Sequence, residues 1–235
     1  MSRSDFKRDG FDLGGVVPWG RRYWEYREIF RLDDLVGDEA ILDVAAGPSS
    51  FAAEAGARGF DVIACDPLYA HEGTAIRRRF DEAAPKMRAG MARAHERFDW
   101  SVYGDAQSVF DFRKEALDRF LADYATGRAA GRYIAASLPV LPFSDQRFDL
   151  ALVSHLLFLY GDDLSLGMHI ASLLELVRVA RIVRVYPLIN LDGRPSSHLE
   201  GVRCALHARG IPFRLRAAGL GFQRGATHML EVGAA

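Results

Sequence analysis

Two acids and a glycine turn carry the plainest chemistry in the sequence. Asp43 sits inside a short apolar run, Ala40 to Ala45, and Asp66 closes a second one, Val62 to Cys65. Between them Gly47-Pro48-Ser49-Ser50 reads as a tight turn followed by a helix start. A carboxylate just past a strand can accept hydrogen bonds from both hydroxyls of a ribose. Glycine at position 47 lets the backbone approach such a ligand closely. The turn lacks the later glycines of G-x-G-x-x-G, and no G-K-S or G-K-T phosphate loop occurs. The expected ligand is a nucleoside without a phosphate tail.

A second set follows the apolar run Leu150 to Val153: Ser154, His155 and Tyr160. Histidine has the intrinsic pKa for a general base near neutral pH; an orienting or structural role is the alternative. Tyr160 either contacts substrate or packs. His71 with Arg77, Arg78 and Arg79 forms either an anion-binding patch or a solvated helix face. His95, His169, His207 and His228 show no metal-ligand spacing. Cys65 and Cys204 make neither a disulfide framework nor a metal cluster.

These residues need a frame that brings strand ends together. Residues 40–45 and 61–65 read as strands, with an alanine-rich helix between them that ends near Gly59. Trp19, Tyr23, Tyr26 and Phe30 recur at helical spacing over Pro18 to Asp34, either packing on the core or covering the site as an aromatic lid. Residues 70–130 carry helical patterns at His71 to Phe80, Pro85 to Phe98 and Gln107 to Gly127, expected as a helical insertion after strand two. Arg132 to Ser137, Leu150 to Val153 and Ile182 to Leu188 read as strands three to five. Helices are expected over Leu164 to Ala180 and Ser197 to Gly210. The last strands are Ile211 to Arg216 and Thr227 to Val232. Alternating strands and helices imply α/β architecture: a Rossmann-like, seven-stranded, mostly parallel sheet with helices on both faces. The expected organisation is an N-terminal arm and aromatic cap helix over 1–37, then a domain over 38–235.

The chain has 235 residues, 49% hydrophobic and 26% charged, enough for one large globular domain. Thirty basic against 31 acidic side chains leave a formal charge of -1, so no polyanion is the expected partner. No stretch reaches about 18 uncharged apolar residues, the length of a membrane span. A cytoplasmic protein acting on a small molecule, without nucleic acid or membrane and as a monomer or homodimer, is the expectation.

Taken in order, these segments resemble the class I S-adenosylmethionine-dependent methyltransferases. Ile41 to Ser49 is similar to their first motif, and Asp66 to the acid that holds the adenosine ribose. Leu141-Pro142-Phe143 with Phe148-Asp149 resembles the approach to strand four, and Leu174 to Ala180 the helix before strand five. The resemblance spans roughly residues 38 to 232. With P-W-G-R at the start, D-P-L-Y at 66–69 and S-H-L-L-F-L-Y at 154–160, the chain also resembles a poorly described bacterial subgroup. The resemblance implies S-adenosylmethionine as cofactor and no metal. It places Asp43, Ala45, Gly47, Asp66, Pro67, Tyr69, Ser137, Leu138 and Ser154 around that cofactor, with His155 and Tyr160 at the acceptor. Asp43 would lie near the methionine amino group or brace the turn, and Tyr69 would pack on adenosine. Two positions depart from the pattern, and the glycine pair usual before strand five is missing, Val179-Ala180-Arg181 running almost directly into it. Ala45 stands where the first turn glycine is usual, and it intrudes least if the backbone there needs no positive φ. Ser137 stands where many relatives place an acid for the adenine amino group, leaving Leu138 for apolar packing. A noncatalytic nucleoside-binding or scaffold protein on the same fold is the alternative.

Overall fold

The computed structural model describes residues 18–35 and 37–233; the arm expected over 1–17 lies outside them. Seven strands form one sheet: β1 Ala40–Val44, β2 Asp61–Cys65, β3 Tyr133–Ile134, β4 Phe148–Ser154, β5 Ala180–Tyr186, β6 Phe213–Ala217 and β7 His228–Gly233, ordered β3-β2-β1-β4-β5-β7-β6. The first five run parallel, and β7 pairs antiparallel with both β5 and β6. The expected seven-stranded, mostly parallel architecture is the one present. Val44 aligns with Cys65 on one side and Val153 on the other, and Ser154 aligns with Tyr186. The residues after those positions therefore emerge together on one edge.

Side chains alternate along a strand, and β1 shows how this divides the core. Ile41 faces a cluster with Tyr26, Phe30, Phe51 and Phe120. Leu42 and Val44 face the opposite cluster, with Leu173, Leu176 and Val202. α1 Tyr23–Phe30, α2 Phe51–Gly56 and α4 Ala106–Ala129 cover the first face; α5 Leu166–Val179 and α6 Leu199–His207 cover the second. Each fully buried Phe or Leu contributes about 1.5–3 kcal/mol of transfer free energy. A third cluster joins α3 Gly73–Arg93 through Met87 and Met91 to Leu159, Tyr160 and Leu191, so the insertion caps the strand ends.

Three elements differ from expectation. α3 runs unbroken through Pro85, where two segments are read from the sequence. A mid-helix proline loses one backbone bond; burial of Phe80, Ala84, Met87 and Met91 along one face holds the helix together. β3 has two residues, because the chain leaves the sheet after Ile134 and Ser137 bridges locally to Val140. α1 stops at Phe30, where Arg31 takes a left-handed φ of 50°. Among the described residues, no helix is long and apolar enough to cross a membrane.

Candidate functional site

A cavity of about 570 Å³ opens over the carboxyl ends of β1, β2 and β4, walled on its far side by α3 and α4. Its floor is the turn after β1. Ala45 has φ 56° and Gly47 φ 57°, both left-handed. The alanine carries a cost of roughly 1–2 kcal/mol in that conformation, so the condition under which it would be an easy replacement for glycine is not met. Surrounding bonds impose the shape. Ala46 N–H donates to Cys65 O at 3.3 Å, Gly47 N–H to Asp66 Oδ2 at 2.9 Å, and Tyr69 hydroxyl to Gly47 O at 2.7 Å. A Cβ on Gly47 would meet nothing within 4 Å, so the turn presents open space to a ligand. Gly20 presses on the turn from the other side: a Cβ there would lie 2.0 Å from Pro48 O. Ser50 caps α2 without a side-chain bond to its backbone. Its hydroxyl donates to Glu54 Oε1 at 2.6 Å, and that of Ser49 to Arg21 O at 2.6 Å.

Asp66 lines the cavity with both oxygens anchored, Oδ2 by Gly47 N–H and Oδ1 by Leu68 N–H at 2.7 Å. Each carboxylate oxygen has two acceptor sites, so one per oxygen remains for a diol. Desolvation raises its pKa, against the two backbone donors. Asp43 is fully buried outside the cavity wall. Its Oδ1 accepts from Tyr26 hydroxyl at 3.1 Å, and its Oδ2 has no partner among the described residues. Burial pushes its carboxyl well above the ordinary range, opposed by Tyr26 hydroxyl and assisted by the Asp66 charge. Tyr69 also stays behind the wall. Its ring packs on Phe120, Tyr124 and Tyr133 while its hydroxyl holds Gly47. Ala45, Gly47, Pro67, Ser137, Leu138 and Ser154 all reach the cavity.

His155 and Tyr160 line it too. His155 takes φ 57°, its N–H donates to Tyr186 O at 2.6 Å, and its ring meets Tyr186 edge-on at 5.1 Å. Nδ1 lies 2.8 Å from Ser154 Oγ. Desolvation, then the charges of Arg21 and Arg113, hold its pKa well below the usual value. The imidazole is thus neutral at neutral pH and a weak proton acceptor. It is better matched to orienting an acceptor than to removing a tightly held proton. Of the basic patch, Arg77 pairs with Asp118 and Arg78 with Glu82, while His71 and Arg79 reach the cavity.

A buried charge cluster beside the cavity escapes the sequence reading. Glu25 is 0% exposed and Arg113 1%. Arg113 donates to both Glu25 oxygens, at 2.6 and 2.8 Å, and to Tyr103 hydroxyl at 3.2 Å; that hydroxyl donates in turn to Glu25. Desolvation alone would raise Glu25, but Arg113, Arg21, Arg22 N–H and Tyr103 together hold it below the ordinary value. Arg113 Nε has no hydrogen-bond partner among the described residues. Arg21 lines the cavity, and burial and then Arg113 pull its pKa down. The available signal was Arg113 interrupting the apolar spacing Val109, Ala116, Leu117, Phe120 of α4. Among the described residues no group of His, Cys, Asp or Glu is arranged to hold a metal ion.

The turn thus leaves open space beside an acid with unspent acceptor sites, an arrangement able to receive a pair of hydroxyls. Comparison with known proteins adds a relative. Uncharacterized protein MJ0045 of Methanocaldococcus jannaschii is 30% identical over 201 residues, covering 84% of this chain and 89% of its own. No protein-family model matches. Among solved structures, PH0226 protein from Pyrococcus horikoshii is 13% identical with TM-score 0.48, over 90% of this chain and 89% of its own. Magnesium protoporphyrin IX methyltransferase from Synechocystis, with bound SAM, is 13% identical with TM-score 0.45, over 87% and 74%. Likenesses this distant do not bear on what the chain binds.

Proposed function

We propose that this chain, which belongs to one family with protein MJ0045 of Methanocaldococcus jannaschii and has the class I methyltransferase fold, transfers a methyl group from S-adenosylmethionine to a small molecule. The observation that carries this reading is the open space over Gly47 next to Asp66, whose two oxygens each keep one acceptor site. Asp66 takes the ribose diol. Pro67 and Leu138 flank the adenine, and Ser137 supplies a hydroxyl to its edge. The turn at Ala45 to Gly47 carries the methionine end, braced by Asp43 and Tyr69 from behind. Ala45 adopts the left-handed backbone that glycine would supply, so its departure from the pattern leaves the turn intact.

A sulfonium methyl is already a strong electrophile, and the acceptor displaces S-adenosylhomocysteine in line as the new bond to carbon forms. The protein's work is alignment and exclusion of water. Ser154 fixes the His155 ring, and His155 and Tyr160 orient the acceptor. Any proton the acceptor sheds passes to the imidazole or to water, since the histidine is neutral and weakly basic.

Calorimetry on ligand-free protein tests this. S-adenosylmethionine and S-adenosylhomocysteine should bind at about micromolar affinity, an ordinary enzyme scale, with NAD as an inert control. Asp66→Ala should lose affinity at least tenfold while folding is retained. Absence of heat from both nucleosides would remove the reading; an unchanged affinity in the variant would remove Asp66 from the ribose.

A further inference from the structure

The cavity reaches well past the turn after β1. The ends of β2 and β5 stand three strand spacings apart, about 14 Å, and the lining continues beyond β5 to Leu191, Phe222 and Gln223. Along α3 the lining residues run Arg79, Met87, Met91, the methionines about 12 and 18 Å beyond the arginine. The far end is a chamber of its own. Met87, Met91, Phe98, Leu159 and Leu191 pack there in one cluster with Phe222 against it, and Phe98 stacks on Phe222 at 4.8 Å. The two thioethers make such a wall adaptable in shape.

Formal charge stays out of this chamber. Asp66, His71 and Arg79 line the cavity on its β2 side. Arg113 uses its guanidinium on Glu25 and Tyr103. Arg21 sits beside the β1 turn, where its carbonyl accepts from Ser49 hydroxyl at 2.6 Å and from Ser50 N–H at 3.1 Å. Arg97 and Asp192, chain neighbours of Phe98 and Leu191, pair with each other at 3.0 Å and do not line the cavity. An ionised ligand group would give up its water here without meeting a counter-charge, which is costly.

A polar side chain interrupts the apolar wall. Gln223 lines the cavity, and its Nε2 donates to Asn190 O at 3.3 Å and to Leu191 O at 3.1 Å. Two carbonyls can be met only by the amino end of an amide, so these bonds use both hydrogens and settle which end is which. Oε1 accepts nothing among the described residues. The backbone on either side is clamped: Asp99 N–H donates to Phe222 O and Arg224 N–H to Arg97 O, both at 2.8 Å. What Gln223 has left for a ligand is a fixed acceptor.

We propose that the methyl acceptor is an uncharged, largely apolar molecule whose body fills this chamber and which donates an N–H or O–H to Gln223 Oε1. Calling it the methyl acceptor rests on the transferase reading above. The chamber's preference for an uncharged donor stands whether or not a nucleoside binds beside it.

Indole, benzofuran and indole-2-carboxylate test this: one bicyclic frame with a donor, without one, and with a donor plus a carboxylate. Each is titrated by NMR into the full chain, ligand-free and saturated with S-adenosylhomocysteine. Indole should bind about three- to tenfold tighter than benzofuran, the range of one neutral hydrogen bond. It should bind at least about tenfold tighter than the carboxylate. Gln223→Met should abolish the preference for indole over benzofuran while affinity for S-adenosylhomocysteine stays within about twofold. A glutamine that only braces the loops would leave that preference in place, and its survival in the variant would overturn the proposal. So would indole failing to bind the wild-type chain, binding no better than benzofuran, or binding more weakly than the carboxylate, none of which needs a variant to fold. Failure of S-adenosylhomocysteine to bind, with indole still preferred in the ligand-free chain, would count against the transferase reading alone.

Discussion

Replacing Glu25 by Gln should destabilise the protein by about 3–5 kcal/mol, the cost of removing one partner from a fully buried ion pair. The structure sets this magnitude. Glu25 and Arg113 are 0% and 1% exposed, so water cannot re-solvate the stranded guanidinium. Glutamine keeps the shape and can still accept from Arg22 N–H, now 2.9 Å from Oε2. The charge is lost, and with it the attraction to both Arg113 and Arg21. Urea denaturation followed by circular dichroism reads the change. For a chain of this size the melting temperature should fall by roughly 6–20 °C. Adding Arg113→Met to Glu25→Gln should recover part of the loss, because the second change removes the cation that the first one stranded. The same pair gives wild-type stability an acid limb. The folded pKa of Glu25 is depressed, so its contribution is present above the unfolded carboxylate pKa and is lost as pH falls through the folded value. A loss below about 1 kcal/mol for Glu25→Gln, or a double variant no better than the single, would refute the reasoning.

Other substitutions separate floor from frame. Gly47→Ala should cost about 1–2 kcal/mol in stability from its positive φ alone, since no atom crowds the new methyl, yet S-adenosylhomocysteine titrations should show binding reduced more than tenfold because that methyl fills ligand space. Tyr69→Phe should cost about 1 kcal/mol by removing the bond to Gly47 O, with a fewfold weaker nucleoside affinity as the turn loosens. Asp43→Asn should cost less than about 1 kcal/mol at neutral pH, because burial already favours the neutral carboxyl. Its folded pKa is raised, so in the wild type its contribution is full below the unfolded pKa and is lost as pH rises through the folded one. Stability curves of the asparagine variant should lack that decline.

The sheet was readable because its signals are local. Apolar runs of five residues ending in Asp66 or Ser154 mark strands whatever surrounds them. The floor of the cavity was readable for the same reason, since Gly47 and Asp66 flank one helix. Contacts made across the chain were not. Glu25 and Arg113 are 88 residues apart and meet only after α4 folds back on α1. Tyr69 looks available for adenosine from its place in D-P-L-Y, but three aromatic neighbours from α4 and β3 draw it behind the wall. Ala45 could not announce its left-handed backbone, because the bonds to Cys65 and Asp66 impose it from outside the turn. The continuity of α3 through Pro85 has the same origin, in burial against residues remote in sequence.

A crystal structure of the full chain soaked with S-adenosylhomocysteine bears most directly on all of this. The expected result is the ribose diol within hydrogen-bonding distance of both Asp66 oxygens, the adenine beside Pro67 and Leu138, and the thioether sulfur turned toward His155. Adenosine bound at another edge of the sheet, or a cavity that stays empty at saturating nucleoside, would contradict it.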